Sequence, residues 1–558
     1  MSRLLSRMRG AAAVLAGLGL LLAPTVAGAA EDDVQHMKFR YGPLPVTPGQ
    51  NTNLVGPDVD RPPGDGFILR MRPDLERADG TPPPVDVIHL HHGVWVNLSG
   101  NDSTSPGGGS VFGGERFFAV AEEKTEMKLP PGYGYPVRAD DRWLINPMIH
   151  NLTTSPDQVW VTYEVDWVPA DSDLGRRLKP VRPVWMDVEN GSPYPVFDTH
   201  RGTGGDGLLT YPDEAANPYG GGRRRNEWTV DRDGTLVLGF GHVHPGGLWD
   251  DLDLVRPGGA RTFDARGHRA LHRLLAKRHR RGHARLRRLP AHRRARAHAL
   301  LHRRLEALHR RRHPALSRVR DSVHLFRSDA VYYDPNGPVS WDFSMTATDP
   351  SWRVGLKKGD RLRMTATYES KRASWYEVMG IIILYMSDEE GPDPFRDPPP
   401  ERGTVTHGHL AENDHEGGEP TDLPDPRDLP DGAATNSAGI ANFLYLPGDL
   451  SSSGAFQSPP VIRPGQQLRF ENADSAQDVY HTITACRAPC NRGAGVSYPL
   501  ADADVELDSG ELGFGIPGYS AAANSSSWQT PADLAPGTYT YFCRVHPFMR
   551  GAFRVKAG

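Results

Sequence analysis

Residues 537–549 read Gly-Thr-Tyr-Thr-Tyr-Phe-Cys-Arg-Val-His-Pro-Phe-Met, and the rest of the chain is read outward from them. Gly537 to Phe542 alternates as a β-strand does, so the thiol of Cys543 is delivered at a strand end, with His546 and Met549 following in one tight loop. Upstream, the strand-like run Gln467–Glu471 is followed by Asp478-Val479-Tyr480-His481-Thr482-Ile483, which puts a further imidazole on a neighbouring strand. Two neutral imidazoles and a thiolate near one plane, with a weak axial thioether, are what a blue (type 1) copper ion requires. A buried free cysteine with incidental neighbours is the bland alternative. Four soft or borderline donors in the right order speak against it, and His481, Cys543, His546 and Met549 are the expected ligands.

The text Tyr-Phe-Cys-Arg-Val-His-Pro-Phe-Met-Arg-Gly-Ala-Phe (541–553) resembles the ligand loop of the amicyanin and plastocyanin family of blue-copper proteins. The resemblance implies a cupredoxin, a Greek-key β-sandwich, over 437–558, and copper-based electron transfer with an external electron donor or acceptor.

A chain of 558 residues is too long for one core and suggests three or four units at about 100–200 residues each. Gly 60 and Pro 50, with no long heptad run, favour short strands joined by turns, so the expected fold class is all-β. Arg3, Arg7 and Arg9 before the apolar run Ala11–Ala23, then Ala27-Gly28-Ala29, read as a secretory signal peptide over 1–30. The apolar run is too short to span a bilayer and no later one is longer, so no transmembrane segment is expected. The expected location is secreted or extracytoplasmic. Of the three cysteines, Cys486 and Cys490 read as a local disulfide after export, which leaves Cys543 for the metal.

Strand-like runs such as Val159–Val165 mark a first β-sandwich over 38–169, followed by a charged, Pro-bearing connector. A second sandwich spans 184–390 and includes Gly234–Phe240 and Ile381–Tyr385; a Pro-, Asp- and Gly-rich linker follows over 391–436. Inside the second unit, 267–318 consists almost wholly of Arg, His, Ala and Leu, with roughly 17 excess positive charges against a net of −4 for the whole chain. It reads either as a basic helix with histidines paired four apart, or as the text that GC-rich coding DNA yields out of frame. With this segment set aside, nothing indicates nucleic-acid binding. The linker cluster His407, His409 and His415 reads either as a metal site or as a solvated segment.

The first sandwich carries Ile88-His89-Leu90-His91-His92-Gly93 and Met148-Ile149-His150, and the second carries Gly241-His242-Val243-His244. An i, i+2 pair on a strand puts both imidazoles on one face, where they chelate a metal readily; a lone histidine is more often structural. Across 86–387 this arrangement resembles the copper type II, ascorbate-dependent monooxygenases, the family of peptidylglycine α-hydroxylating monooxygenase. The resemblance implies two jelly-roll-like sandwiches and two mononuclear coppers. His91, His92 and His150 would hold an electron-donating copper, with His89 spare, and a small-molecule reductant such as ascorbate would serve it. His242, His244 and Met379 would hold the oxygen-activating copper and carry catalysis. On the residues alone, Met379 beside an apolar strand reads as core.

The sequence departs from the family where the peptide enzyme holds its substrate, since those positions are Phe240, Ile381 and Ile383, which cannot pair a carboxylate. Two functions follow: a copper redox enzyme fed by the blue-copper domain, or a non-enzymatic copper carrier or store.

Overall fold

The computed structural model describes residues 33–85, 87–105, 113–190, 195–215, 226–256, 322–333, 341–400, 402–406, 424–451, 456–477, 479–487, 506–513, 525–546 and 548–557. The expected signal peptide, the 267–318 segment, the linker histidines His407, His409 and His415, Cys490 and the side chain of Cys486 lie outside these residues, and with them the expected disulfide.

The described residues form an all-β protein whose helical content is limited to short 3-10 turns such as Gly175–Arg177 and Asp474–Gln477. None of their helices is long and apolar enough to cross a membrane. One hydrogen-bonded run of strands passes from the first unit into the second. Gln35–Val46, Asp157–Pro169, Gly66–Glu76 and Tyr133–Val137 come first, then Lys179–Asp187, Gly380–Ser387 and Gly234–Val243. The join is a short parallel contact, Lys179 with Tyr133 and Pro180 with Gly134, so the connector read from the sequence enters a strand at Lys179. A separate sheet faces the first part of this run, with Trp143–Asn151 between Asn51–Asn53 and Ile88–Asn97, and Glu115–Ala121 at its far edge.

The strand Gly380–Ser387 explains how the two units meet. It is apolar on both faces: Ile381, Ile383 and Tyr385 belong to the core of the first sandwich, and Ile382, Leu384 and Met386 to that of the second. Side chains alternate across a strand, so a continuous apolar run serves two cores at once. The Tyr385 hydroxyl donates to the Phe117 carbonyl at 2.6 Å, and Phe118 meets Phe240 edge-on at 6.1 Å. Phe240, Ile381 and Ile383 are therefore a packed seam between the sandwiches, each at most 3% exposed. Burying each such side chain contributes about 1.5–3 kcal/mol.

The last unit pairs two sheets over its own core. One contains Ser437–Ala441 and Arg469–Asn472; the other orders Val461–Ile462, Arg550–Val555, Gly537–Phe542, His481–Arg487 and Leu507–Leu512. That core takes in Val85 and Leu152 of the first unit and Trp341 of the second, so the three units pack together. In the linker, Gly403–Val405 pairs with the strand Phe343–Thr348. Near its other end, Arg554 donates to the carbonyls of Pro426 and Leu429.

Candidate metal centres

Cys543 follows the strand Gly537–Phe542, which pairs with His481–Arg487, so adjacent strands aim Cys543 and His481 at each other. The thiol is fully buried. The backbone N–H groups of Thr482 and His546 each donate to its sulfur at 3.3 Å. Nδ1 of His481 and Nδ1 of His546 both stand 3.8 Å from Sγ and 3.1 Å from each other. The three donor atoms lie within 4.8 Å of one another. Met549 is buried beside them, and its backbone closes the loop, with Cys543 N–H on the Met549 carbonyl and Met549 N–H on the His546 carbonyl.

Electrostatics prepare this site for a cation. Burial opposes ionisation of the Cys543 thiol, but hydrogen bonds from the two imidazoles outweigh it and pull the thiol well below the ordinary cysteine value. Sequence reasoning missed Asp474, whose carboxylate accepts from Nε2–H of His481 at 3.0 Å and so turns the Nδ1 lone pair to the side of the sulfur. Burial raises the Asp474 carboxyl, yet the bonds from His481 and from the N–H groups of Phe443 and Asn442 hold it at about 2. A thiolate, two oriented imidazoles and a buried methionine fit a type 1 copper ion.

The second centre lies where the two sandwiches meet. Strand alternation puts His89 and His91 on one face and His92 on the other, and the register of Ile88–Asn97 against Trp143–Asn151 shifts between Leu90 and His92. His89, His91 and His150 bring their donor atoms within 4.8 Å of one another; His91, Glu122 and His244 do the same. His92 belongs to neither group, since its Nε2 bonds Asn53 at 2.7 Å. The His91 ring stacks on His150 at 4.0 Å and on His244 at 4.1 Å. His242 meets His244 edge-on at 4.8 Å and has its Nδ1 3.3 Å from Glu123.

The tautomer of one imidazole is readable from its backbone contact. Nδ1–H of His89 donates to the Val85 carbonyl at 2.6 Å, which turns Nε2 toward the cluster, 3.2 Å from Nδ1 of His150. Burial, reinforced by neighbouring imidazoles, holds His91, His150 and His244 well below the ordinary value, so their rings are neutral at pH 7. Met379 packs in the core of the first sandwich, and Tyr368 ties it to His244: the phenol donates to the Met379 carbonyl at 2.6 Å and accepts from the His244 N–H at 2.8 Å.

Glu122 and Glu123 were also missed. Their signal was a pair of carboxylates directly after the apolar run Phe117–Ala121, a place where solvated acids are unusual.

Two lines of contact lead from the Cys543 centre into the sandwiches. A Cβ on Gly49 would stand 3.2 Å from Nε2 of His546, so this edge of the Cys543 centre lies against the first sandwich. On the other side, the Arg544 guanidinium lies 4.2 Å over the ring of Trp375 and donates to the Ser374 carbonyl. The Trp375 indole in turn sits on Gly246, two residues beyond His244.

No protein-family model and no curated protein matches the chain. Among solved structures, a mutant of amicyanin in its Cu(I) form is similar at 17% identity, over 25% of this chain and 94% of that chain, with a TM-score of 0.13.

Proposed function

We propose that the chain is an exported copper-binding redox protein in which the Cys543 centre exchanges single electrons with an external partner and relays them to the histidine-rich centre. The observation that carries this reading is the packing of His546 on Gly49. From Gly49 the chain runs to Gln50, whose carbonyl accepts the Asn151 N–H at 3.0 Å, and Asn151 follows His150. Trp341 offers a parallel bridge, since it belongs to the core that holds Cys543 and its ring lies 4.7 Å from His89 and 6.0 Å from His150.

Copper at these donors supplies one-electron redox chemistry. The residues around it exclude water, fix the imidazole tautomers and keep the thiol ionised. Oxidation of a C–H bond at His242, His244 and Met379 is the further step that the family resemblance implies. The packed seam of Phe240, Ile381 and Ile383 favours the second reading, a carrier or store, because these side chains fill a core where a substrate would need an opening.

The relay is tested by flash reduction of the oxidised, copper-loaded chain. The thiolate colour of the Cys543 centre should bleach and then recover as its electron moves on, and Gly49→Ala should slow the recovery. A recovery rate unaffected by Gly49→Ala and by Trp341→Leu would remove the relay. Oxygen uptake with ascorbate, lost in Met379→Ala, separates the enzyme from the carrier; no uptake with any reductant leaves the carrier.

A further inference from the structure

We propose that the histidines of the two sandwiches form one two-ion copper centre bridged by the carboxylate of Glu122, in place of two separate mononuclear sites. This rests on the copper reading above and changes its geometry.

Two donor groups share His91, and its ring is sandwiched between His150 of the first unit and His244 of the second. Ions bound by these groups are neighbours by construction. Glu122 divides its oxygens between them. Oε1 lies 2.6 Å from Nδ1 of His91 and 3.7 Å from Nε2 of His89, while Oε2 faces Nδ1 of His244 at 3.9 Å. A carboxylate so placed gives one oxygen to each of two ions, the arrangement of two-metal sites with ions about 3.5–4 Å apart.

The buried polar atoms point to the same ligands. Nε2 of His150, Nε2 of His242, both ring nitrogens of His244 and Oε2 of Glu122 have no hydrogen-bond partner. Each such buried atom costs about 1–3 kcal/mol when left alone. Charge favours metal here. The side chains of Glu122 and Glu123 are at most 1% exposed. The amine of the adjacent Lys124 pairs with Asp74 at 3.0 Å. Two buried carboxylates among imidazoles favour bound cations over an empty centre. His89 and His150 lie on the Oε1 side of Glu122 and His244 on the Oε2 side, with His242 next to His244 and His91 between the two sides.

The test loads the full chain with copper(II), measures total copper by atomic absorption and integrates the electron paramagnetic resonance signal. Two carboxylate-bridged cupric ions couple and lose their signal, so the spins should match the Cys543 centre alone, about one-third of total copper for a two-ion site. In Glu122→Gln the spin count should rise toward total copper. Uptake of a single copper by the histidine centre, two fully visible spins there, or an unchanged spin count in Glu122→Gln would overturn the bridge. Thiolate absorption is read in the same samples. Its absence would sink the copper redox reading while the spin count still decides the bridge, and its persistence in Glu122→Gln shows that the variant is folded; should that variant not fold, the parent's spin count decides alone.

Discussion

The Cys543 centre and the histidine-rich centre are built in opposite ways. The first draws Cys543, His546 and Met549 from one loop and His481 from the adjacent strand, all within one sandwich. The second takes His89, His91 and His150 from one sandwich, Glu122 from the end of its edge strand and His244 from the other sandwich. A local centre depends on one loop, whereas a composite one depends on the packing that brings its halves together.

The largest effect that sharpens this contrast comes from the seam. Ile383→Ala should destabilise the chain by about 2–5 kcal/mol, as truncation of a fully packed core side chain does. Denaturant unfolding reads that loss, and metal analysis should show the histidine centre weakened while the thiolate colour stays. Loss of colour before loss of histidine-bound copper would break the distinction.

Acid separates the centres next. His91, His92, His150 and His244 are held well below the ordinary imidazole value of 6.5, by burial first and then by one another. In the copper-free chain the unfolded state takes up protons below 6.5 that the folded state refuses. Their stability is therefore full above about pH 6.5 and is lost as pH falls, by about 1.4 kcal/mol per pH unit for each proton. His242, raised by Glu123 against its burial, offsets part of this. The contribution of Asp474 disappears only between its ordinary 3.8 and about 2. Urea unfolding from pH 7.5 to 5 should show the decline, and a flat profile would contradict it.

The smallest expected effect is at His92. His89→Ala should remove copper from the histidine centre, whereas His92→Ala, which cuts a bond to Asn53, should leave its copper content unchanged. Equal losses would show that the ring of His92 turns to the metal.

What could be read from the sequence follows the same division. Strand alternation into Cys543, and donors three and six residues beyond it, are local features, so the loop was legible without knowing the rest. All-β architecture was legible for the same reason, since runs such as Gly234–Phe240 and Ile381–Tyr385 declare strands on their own. The pairing of His91 with His244 was not, because it depends on which face of each strand meets the other sandwich. Met379 was read as core from its residues and as a ligand from resemblance, and the structure packs it in the core of the first sandwich, tied to His244 through Tyr368. The resemblance pairs His91 with His92 and leaves His89 spare, whereas the structure groups His89 with His91 and His150. Asp474 escaped notice because an acid seven residues before a histidine carries no signal until a turn brings them to 3.0 Å.

The central claim, that the thiolate of Cys543 holds copper between His481 and His546, is tested most directly by the visible spectrum of the copper-loaded chain and its Cys543→Ser variant. The account predicts an intense blue or green thiolate band in the parent, and in the variant loss of that band together with the copper bound there. A colourless parent, or a variant that keeps its full copper content, would contradict it.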